Sequence, residues 1–483
     1  MTDILFATSE IHPLVKTGGL GDVSASLPPA LRALGDDVRV VLPAYRTVLE
    51  QTGELRLVAT LDLAGVPTSV RILEGRLPDS DVPLYLVDSP VHFDRDGGPY
   101  VDDHGSDWPD NAARFATFGR AITTLALDQA GLEWRPQVVH CNDWQTGLAP
   151  ALLARFTPRP ATIFTVHNLA YQGLFSWQEF ADLGLPHDLW AMEAMEFHGL
   201  FSFIKGGLAY ADWITTVSPS YAEEICTSEF GEGLDGLLNY RGDRLTGILN
   251  GVDYDTWDPS VDQHIPKRYN AKNLRFKKQD KQALKATFGL DEQDLPIIGM
   301  VGRLAQQKGV DLVLDALPAL MGEPVQLVVG GSGDPALEKK LRAAARRHAG
   351  QIGIHIGYDE ALAHLVEAGS DMFLMPSRYE PCGLNQIYSL RYGTAPIVRS
   401  TGGLRDTVVD ATEETLRDSS ATGFAFSTTS AKALYEAVCR ALALYEHPRL
   451  WRRLLTTGMI QDFSWAVSAR HYQAIYAEAI ASV

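Results

Sequence analysis

The chain has 483 residues, of which 46% are hydrophobic and 21% are charged. This length is too great for one ordinary hydrophobic core, so two or three domains of a globular protein are expected. The formal net charge of −18 argues against a general nucleic-acid binder or an anionic-membrane binder, and an anionic ligand would need a local positive site.

Cysteine usage and the first residues indicate the compartment. The four cysteines are scattered and form no C-x-x-C pair, which fits a reducing cytosol and excludes a zinc–cysteine cluster. The chain runs directly into a predicted strand without a signal or transit peptide, and no uncharged apolar run is long enough to cross a bilayer. We therefore predict a cytoplasmic, bacterial protein that binds no membrane and no nucleic acid.

Short Val- and Ile-rich runs alternate with helical patterns, which is typical of parallel sheets covered by helices on both faces. The predicted strands are 4–8, 38–42, 138–141, 162–166, 213–217, 297–301, 326–330, 353–356, 372–375 and 396–398. Segment 55–88 has strand-like runs without a helix between them and is predicted to be an antiparallel appendage. A loop-like composition at 250–258 marks a domain boundary. The predicted fold class is α/β, with two doubly wound, Rossmann-like domains facing across a cleft.

The first predicted strand leads into a cationic, glycine-rich turn, Lys16-Thr17-Gly18-Gly19-Leu20-Gly21-Asp22. Glycines let a ligand approach closely, and N–H groups at a helix start attract anions, so this turn is predicted to bind phosphate or sugar oxygens. A solvated loop lysine is the alternative for Lys16. Asp22 either binds substrate or lies in the first helical turn, where the helix dipole favours a carboxylate.

Two later strands of the first half also end in polar residues. Asp143 and Trp144 follow strand 138–141, and His167 and Asn168 follow strand 162–166. Ligands bind at the carboxyl ends of strands in such sheets, so these are candidate site residues. A core tryptophan and a structural, hydrogen-bonded histidine are the alternatives. Asn250, at the boundary turn, is a further candidate.

The second half repeats the cationic strand-to-helix turn. Arg303 and Lys308 follow strand 297–301 and are predicted to clamp a phosphate, since a guanidinium fork and an ammonium suit a leaving diphosphate. Separate surface ion pairs are the alternative. Tyr358 follows strand 353–356 and is predicted either to stack on a nucleobase or to be a partly buried tyrosine.

The turn from Gly331 to Ala336 fits the dinucleotide pattern G-x-G-x-x-A. An ordinary tight turn is favoured, because Pro335 occupies a natural first position of a helix. The dinucleotide interpretation supports an alternative function, that of an NAD-linked oxidoreductase.

The segment Glu380-Pro381-Cys382-Gly383-Leu384-Asn385 follows strand 372–375. The carboxylate of Glu380 is predicted to point into the cleft; a helix N-terminal acid stabilised by the dipole is the alternative. Backbone N–H groups near Gly383, Leu384 and Asn385 are candidates to bind phosphate or sugar hydroxyls. The sequence around Cys382 shows no pattern that would activate a thiol, which favours a small packing residue of the site over a nucleophile.

These motifs, together with Thr401-Gly402-Gly403-Leu404, resemble bacterial glycogen synthases and plastid starch synthases, and the resemblance covers essentially the whole chain. It implies the GT-B fold, with an acceptor-side domain at 1–252, a nucleotide-sugar domain at 253–460 and a final helical segment at 461–483 that packs back on the first domain. Asn385 stands where the family motif is expected to have threonine. Tyr388 stands where many related transferases have a second glutamate, as expected for the glycogen synthase branch.

The resemblance also implies the activity, a retaining transfer of glucose from ADP-glucose to the non-reducing end of an α-1,4-glucan such as glycogen. It places Lys16 and Asn250 in the donor site and His167 near the reacting carbon, and it implies catalytic roles for Glu380, Arg303, Lys308, His167 and Lys16.

No cofactor is expected, and the spacing of His, Cys, Asp and Glu predicts no metal site. The alternatives to this activity are an NAD-linked oxidoreductase and a catalytically silent glucan-binding protein.

Overall fold

The computed structural model describes residues 1–78 and 80–483. They form two compact units, an N-terminal unit of Met1–Gly251 with Trp465–Val483 and a C-terminal unit of Val252–Ser464. Acidic residues outnumber basic ones two to one in the N-terminal unit, whereas the two kinds are almost balanced in the C-terminal unit. Nearly all of the net negative charge therefore belongs to the N-terminal unit.

The N-terminal unit is built on a nine-stranded sheet in the order β12-β11-β7-β6-β1-β2-β5-β4-β3, beside a small antiparallel sheet in the order β8-β10-β9. The strands are β1 Asp3–Ala7, β2 Asp37–Pro43, β3 Arg56–Leu61, β4 Val70–Arg76, β5 Pro83–Asp88, β6 Val138–Asn142, β7 Ala161–Val166, β8 Leu174–Phe175, β9 Glu196–Phe197, β10 Leu200–Ser202, β11 Trp213–Thr216 and β12 Leu245–Gly247.

Segment 55–88 is antiparallel within itself, as predicted, but it is part of the main sheet rather than an appendage. Strand β4 pairs antiparallel with both β3 and β5, as expected, but β5 also pairs in parallel with β2, through Val40 and Leu84 among others. Strand β5 is buried along almost its whole length, so it needs a partner on each side. The segment thus extends the main sheet.

The C-terminal unit has one six-stranded sheet in the order β15-β14-β13-β16-β17-β18, in which every pairing is parallel. Leu327 and Val329 pack in one apolar cluster and Val328 packs in another, as expected for a strand buried on both faces. The strands are β13 Ile297–Val301, β14 Gln326–Gly331, β15 Ile352–Ile356, β16 Met372–Met375, β17 Ala395–Arg399 and β18 Phe424–Phe426. The ten predicted parallel strands of the chain are confirmed, with ends that differ by no more than one residue.

Helices cover both sheets. Those of the main series are α1 Gly19–Ala33, α2 Arg46–Gln51, α3 Pro90–Phe93, α4 Asn111–Ala126, α5 Leu148–Leu153, α6 Trp177–Asp182, α7 Phe203–Tyr210, α8 Pro219–Glu224, α9 Asp235–Tyr240, α10 Lys277–Phe288, α11 Val310–Leu320, α12 Pro335–Arg347, α13 Glu360–Gly369, α14 Asn385–Arg391, α15 Gly402–Thr407, α16 Glu413–Asp418, α17 Ala431–Tyr445, α18 Pro448–Met459 and α19 Trp465–Ala481.

The last helix, α19, packs on α1 and β7 of the N-terminal unit, where the hydroxyl of Tyr476 lies 2.8 Å from Nδ1 of the buried His140. Across residues 1–78 and 80–483, none of the helices combines the length and the apolar character needed to cross a membrane.

In each of the two larger sheets, the direction in which strands are added reverses beside the first strand of the unit. In the C-terminal unit the reversal lies between β13 and β16, and in the N-terminal unit it lies between β1 and β6. Ligands of open α/β sheets bind outside the carboxyl ends of the strands at such a switch point. Lys16 follows β1 and Asp143 follows β6; Arg303 and Lys308 follow β13, and Glu380 follows β16.

Candidate active site

The turn after β1 is organised by a buried carboxylate, that of Glu10, which is only 4% exposed. It accepts hydrogen bonds from the backbone N–H of Thr17 at 2.5 Å, from the Thr17 hydroxyl at 2.6 Å and from the N–H of Gly18 at 3.2 Å. The Tyr100 hydroxyl donates a fourth, at 2.7 Å. The expectation of an open anion site at this turn is therefore wrong for the Thr17 and Gly18 N–H groups, because Glu10 occupies both.

Lys16 itself lies beside that turn with its ammonium 2.7 Å from Asp22, and both side chains are about one-third exposed. Asp22 lies in the first turn of α1, as one of its two interpretations expected, and its binding of substrate stays a prediction. A Cβ on Gly21 would meet Lys16 Cγ at 3.0 Å, whereas Cβ atoms on Gly18 or Gly19 would meet nothing within 4 Å. The surface over Gly18 and Gly19 is open to a ligand.

Asp143 joins the ends of two neighbouring strands. Its Oδ1 accepts a 2.7 Å hydrogen bond from the N–H of His167, which follows β7. Burial raises the pKa of Asp143 to about 7, against the lowering effect of the N–H groups of His167 and Asn168. The backbone of Asp143 has φ +55°, a conformation that is costly for a residue with a Cβ.

His167 is a neutral imidazole with a defined tautomer. Its Nε2 lies 2.9 Å from Oδ1 of Asn142, whose amide nitrogen donates to Ala7 O at 3.0 Å. The Asn142 oxygen must therefore accept, so His167 Nε2 carries the proton and Nδ1 is an acceptor. Burial lowers the pKa of His167 to about 3. His167 thus offers hydrogen bonds rather than positive charge.

Trp144 is buried among aromatic rings, which agrees with the alternative of a core tryptophan. Its ring centroid lies 4.8 Å from that of Phe115 and 6.2 Å from that of Tyr100, the residue that donates to Glu10. Gly173 lies against the indole with φ +60°. A side chain at this position does not fit, because its Cβ would lie 2.3 Å from Trp144 Cε3. Trp144 therefore supports the Glu10 turn through Tyr100.

We expect Gly173→Ala to lower activity without touching substrate. The methyl group must displace the Trp144 indole, and overpacking of a buried site costs about 1–3 kcal/mol. Thermal unfolding together with a transfer assay measures the effect, and Gly184→Ala, also at positive φ but with nothing within 4 Å of its Cβ, is the control. Equal behaviour of the two variants would show that the Trp144 contact is unimportant.

The raised pKa of Asp143 predicts that the free energy of unfolding depends on pH. Its native pKa of about 7 lies above the ordinary 3.8, so the native protein holds the proton more tightly than the unfolded chain. The contribution of this carboxyl to stability is therefore lost as pH rises from about 4 to about 7. Asp143→Asn keeps an oxygen that can accept the His167 N–H and cannot ionise. Relative to the wild type, the variant should gain about 1–3 kcal/mol of unfolding free energy between about pH 5 and about pH 8.

Urea unfolding of both proteins at the two pH values measures this gain. If the difference in unfolding free energy between the wild type and Asp143→Asn were the same at both pH values, the pKa of Asp143 in the native protein would be close to its ordinary value.

In the C-terminal unit, Glu380 and Lys308 form an ion pair at the switch point. The ammonium lies 2.6 Å from Glu380 Oε2, and the Ser377 hydroxyl donates to the same oxygen at 2.9 Å. The Glu380 side chain is 7% exposed. Helix α14 begins only at Asn385, so Glu380 is not in the first turn of that helix and the alternative of an acid stabilised by the helix dipole is wrong. Gly309, at φ +72°, lets the two loops approach, because a Cβ there would lie 2.2 Å from Pro376 O.

Arg303 is exposed, and its guanidinium is hydrogen-bonded to the neutral side chain of Gln307. Its Nη2 donates to Gln307 Oε1 at 2.8 Å, and Gln307 Nε2 donates to Tyr379 O at 3.3 Å. Arg378, in the same loop as Glu380, forms a two-pronged ion pair with Asp311 at 2.7 Å for each oxygen. The loop after β13 and the loop after β16 are thereby joined at several points.

The segment from Cys382 to Asn385 rests on the start of α15. Cβ atoms on Gly402 and Gly403 would each lie 2.0 Å from a carbonyl oxygen, that of Glu380 and that of Cys382 respectively. Cys382 is 5% exposed, as expected for a packing residue. The Asn385 side chain donates to Val301 O at 2.8 Å, so at the threonine position of the family motif this amide anchors α14 to the end of β13.

The glycines of the turn at 331–336 serve packing. Gly331 has φ +143°, and a Cβ on it would lie 1.9 Å from Gly302 O, so the turn lies directly against the Arg303 loop. Asp334 caps α12 by accepting from the N–H of Ala336 at 2.7 Å. These contacts favour the ordinary-turn interpretation over a dinucleotide site.

Two predicted residues lie away from the switch points. Tyr358 is 81% exposed and follows β15, two strands from the reversal. Asn250 follows β12 at the far side of the N-terminal sheet; it is buried, and its Oδ1 has no hydrogen-bond partner within the described part of the chain. Tyr388, at the position of the second family glutamate, stacks on Trp257 with centroids 3.9 Å apart.

Comparison with known proteins gives the family. Residues 3–240 match the starch synthase catalytic domain, and residues 280–453 match the glycosyl transferases group 1 domain. The chain is 57% identical to a glycogen synthase of Thioalkalivibrio sulfidiphilus over 480 residues, covering 99% of each chain. The chain belongs to the glycogen synthase family. Glycogen synthase 2 of Nitrosococcus oceani is 55% identical over 99% of this chain and 98% of that protein.

Solved structures agree with this family. The catalytic domain of starch synthase IV from Arabidopsis thaliana, bound to ADP and acarbose, superposes with a TM-score of 0.89 at 33% identity, with 99% of each chain covered. A sucrose-phosphate synthase from Thermosynechococcus elongatus, at 17% identity and a TM-score of 0.61, shares the fold. The GT-B fold class expected from the sequence is confirmed, and the protein is a glycosyltransferase of the glycogen synthase family.

Proposed function

We propose that this glycosyltransferase transfers glucose from ADP-glucose to the non-reducing end of an α-1,4-glucan, with retention of configuration and release of ADP, in the cytoplasm. The observation that carries the proposal is the Lys308–Glu380 pair at the switch point of the C-terminal unit. The ADP and acarbose in the related starch synthase structure support a nucleotide sugar and a glucan as ligands. We assign the nucleotide sugar to the C-terminal unit and the glucan to the N-terminal unit.

The chemical problem of the reaction is the negative charge that grows on the leaving diphosphate. Arg303 and Lys308 stabilise that charge as preorganised positive groups, and Lys308 exchanges part of its bond with Glu380 for the phosphate. The almost balanced charge of the C-terminal unit allows such an anion to approach, whereas the excess of acidic residues in the N-terminal unit opposes it.

Glu380 binds hydroxyls of the transferred glucose, and His167, as a neutral imidazole, hydrogen bonds to the sugar near the reacting carbon. With no side chain proposed as nucleophile or base, the leaving phosphate accepts the proton of the glucan hydroxyl during front-face attack. The further binding residues that we propose are Gly18, Gly19, Asp22, Asp143, Trp144, Asn168, Asn250, Tyr358, Cys382, Gly383, Leu384 and Asn385.

The test is incorporation of labelled glucose into glycogen from ADP-glucose, with UDP-glucose as competitor. We expect ADP to be released in the same amount as glucose is incorporated. We also expect an exo-acting α-1,4-glucosidase to release the labelled glucose first, because it was added at the non-reducing end. Binding of glycogen without transfer of glucose would instead indicate a catalytically silent glucan-binding protein. Quenching of fluorescence on addition of NADH would indicate an NAD-linked oxidoreductase.

An arm of the same assay with excess EDTA should retain activity, because Arg303 and Lys308 supply the positive charge that a metal would otherwise provide. Within the described ranges, no group of three or more His, Cys, Asp or Glu side chains is placed to hold a metal ion. Activity that disappears with EDTA and returns with magnesium would contradict this expectation.

A further inference from the structure

We propose that Gln307 is a positioning residue that orients the Arg303 guanidinium toward the diphosphate and links it to the Glu380 loop. The inference rests on the proposed function for the role of Arg303. Gln307 is neutral, lies between the two predicted cations and is not one of the residues to which the family motifs assign a role.

The side-chain amide of Gln307 is fixed at both ends. A guanidinium only donates hydrogen bonds and a carbonyl oxygen only accepts them, so Oε1 must face Arg303 and Nε2 must face Tyr379 O. The amide therefore connects the cation that follows β13 to the residue immediately before Glu380. No other orientation of the amide satisfies both neighbours.

The main chain of Gln307 is held independently of its side chain. Gln307 O accepts the N–H of Arg378 at 2.8 Å, and Arg378 is anchored by Asp311. A change of the Gln307 side chain should therefore leave the loop in place and act on Arg303.

Arg303 needs such a partner because it is exposed and has a long, flexible side chain. Holding the guanidinium in one orientation before the ligand binds removes part of the entropy cost of ordering it at the moment of binding. The bond from Gln307 leaves the remaining N–H groups of the fork available for phosphate oxygens.

The experiment compares Gln307→Glu, Gln307→Ala and the matched control Gln306→Glu by calorimetric titration with ADP. Gln307→Glu is isosteric, but its carboxylate offsets the charge of Arg303 and cannot donate to Tyr379 O. Its dissociation constant for ADP should rise about tenfold or more, which is the loss of roughly one good charged contact.

Gln307→Ala should give a smaller rise, of a few fold, by releasing Arg303 without opposing its charge. Gln306 is exposed and adjacent, so Gln306→Glu introduces the same charge and should change the dissociation constant less than about twofold. All three variants should unfold at the temperature of the wild type.

The decisive arm repeats Gln307→Glu in an Arg303→Ala background. If Gln307 acts through Arg303, the second substitution has little further effect there. An equal loss in both backgrounds, or an equal loss from Gln306→Glu, would overturn the inference.

Calorimetry does not require turnover. Wild-type protein that binds ADP but transfers no glucose would overturn the proposed function alone, and wild-type protein that binds no ADP would overturn both.

Discussion

Replacing Lys308 with alanine should lower turnover about a hundredfold or more, equivalent to about 3 kcal/mol of transition-state stabilisation. The substitution removes a preorganised ammonium from the position where phosphate charge develops. It also leaves the buried Glu380 carboxylate with Ser377 as its remaining side-chain donor, so the carboxylate loses its compensating charge. Turnover at saturating ADP-glucose and glycogen, together with thermal unfolding, separates the catalytic loss from the loss of stability.

The double variant Lys308→Ala with Glu380→Gln is the control for this result. A glutamine at position 380 needs no cation, so the double variant should recover stability relative to Lys308→Ala while its turnover stays low. Near-normal turnover of folded Lys308→Ala would remove Lys308 from the proposed catalytic residues.

Glu380→Gln should fold normally and lose most of its activity, by about a hundredfold, whereas Cys382→Ser should stay within a few fold of the wild type. Glutamine keeps the volume of the side chain but loses the charge that binds both Lys308 and the sugar hydroxyls. Cys382 is a buried packing residue, and serine has nearly its size.

Turnover and thermal unfolding of these two single variants are measured side by side. The reverse ranking of activities would point to covalent chemistry at Cys382 and would contradict the front-face mechanism.

The parallel strands were predictable because strands buried on both faces are continuous Val- and Ile-rich runs, as in Ile297–Val301 and Met372–Met375. Their predicted order along the chain was enough to locate Arg303, Lys308 and Glu380 at strand ends. The pairing of Lys308 with Glu380 was not predictable, because it joins residues 72 positions apart through the close approach of Gly309 to Pro376.

The sequence carries no comparable signal for Glu10, Ser377 or Gln307. Ser377 and Gln307 act through one and two side-chain hydrogen bonds and Glu10 acts through four, and none of the three has a spacing in the sequence that marks such a role. Glu10 reaches the Thr17 N–H because the intervening chain folds back on itself, with Ile11 and Val15 bonded to each other at 2.9 Å in both directions. Segment 55–88 was predicted only in part, since alternation of apolar residues does not show which strand β5 pairs with.

The carboxylate of Glu10 makes the Lys16 turn rigid before any ligand binds. Fixing the backbone of one residue costs about 1–2 kcal/mol of conformational entropy. For the residues from Lys16 to Gly18, this cost of several kcal/mol is included in the free energy of folding, so substrate binding does not have to supply it. The same carboxylate repels a second anion from the Thr17 and Gly18 amides. A phosphate that approached this turn would therefore be directed away from these two amides and toward the Lys16 ammonium, beside the open surface over Gly18 and Gly19.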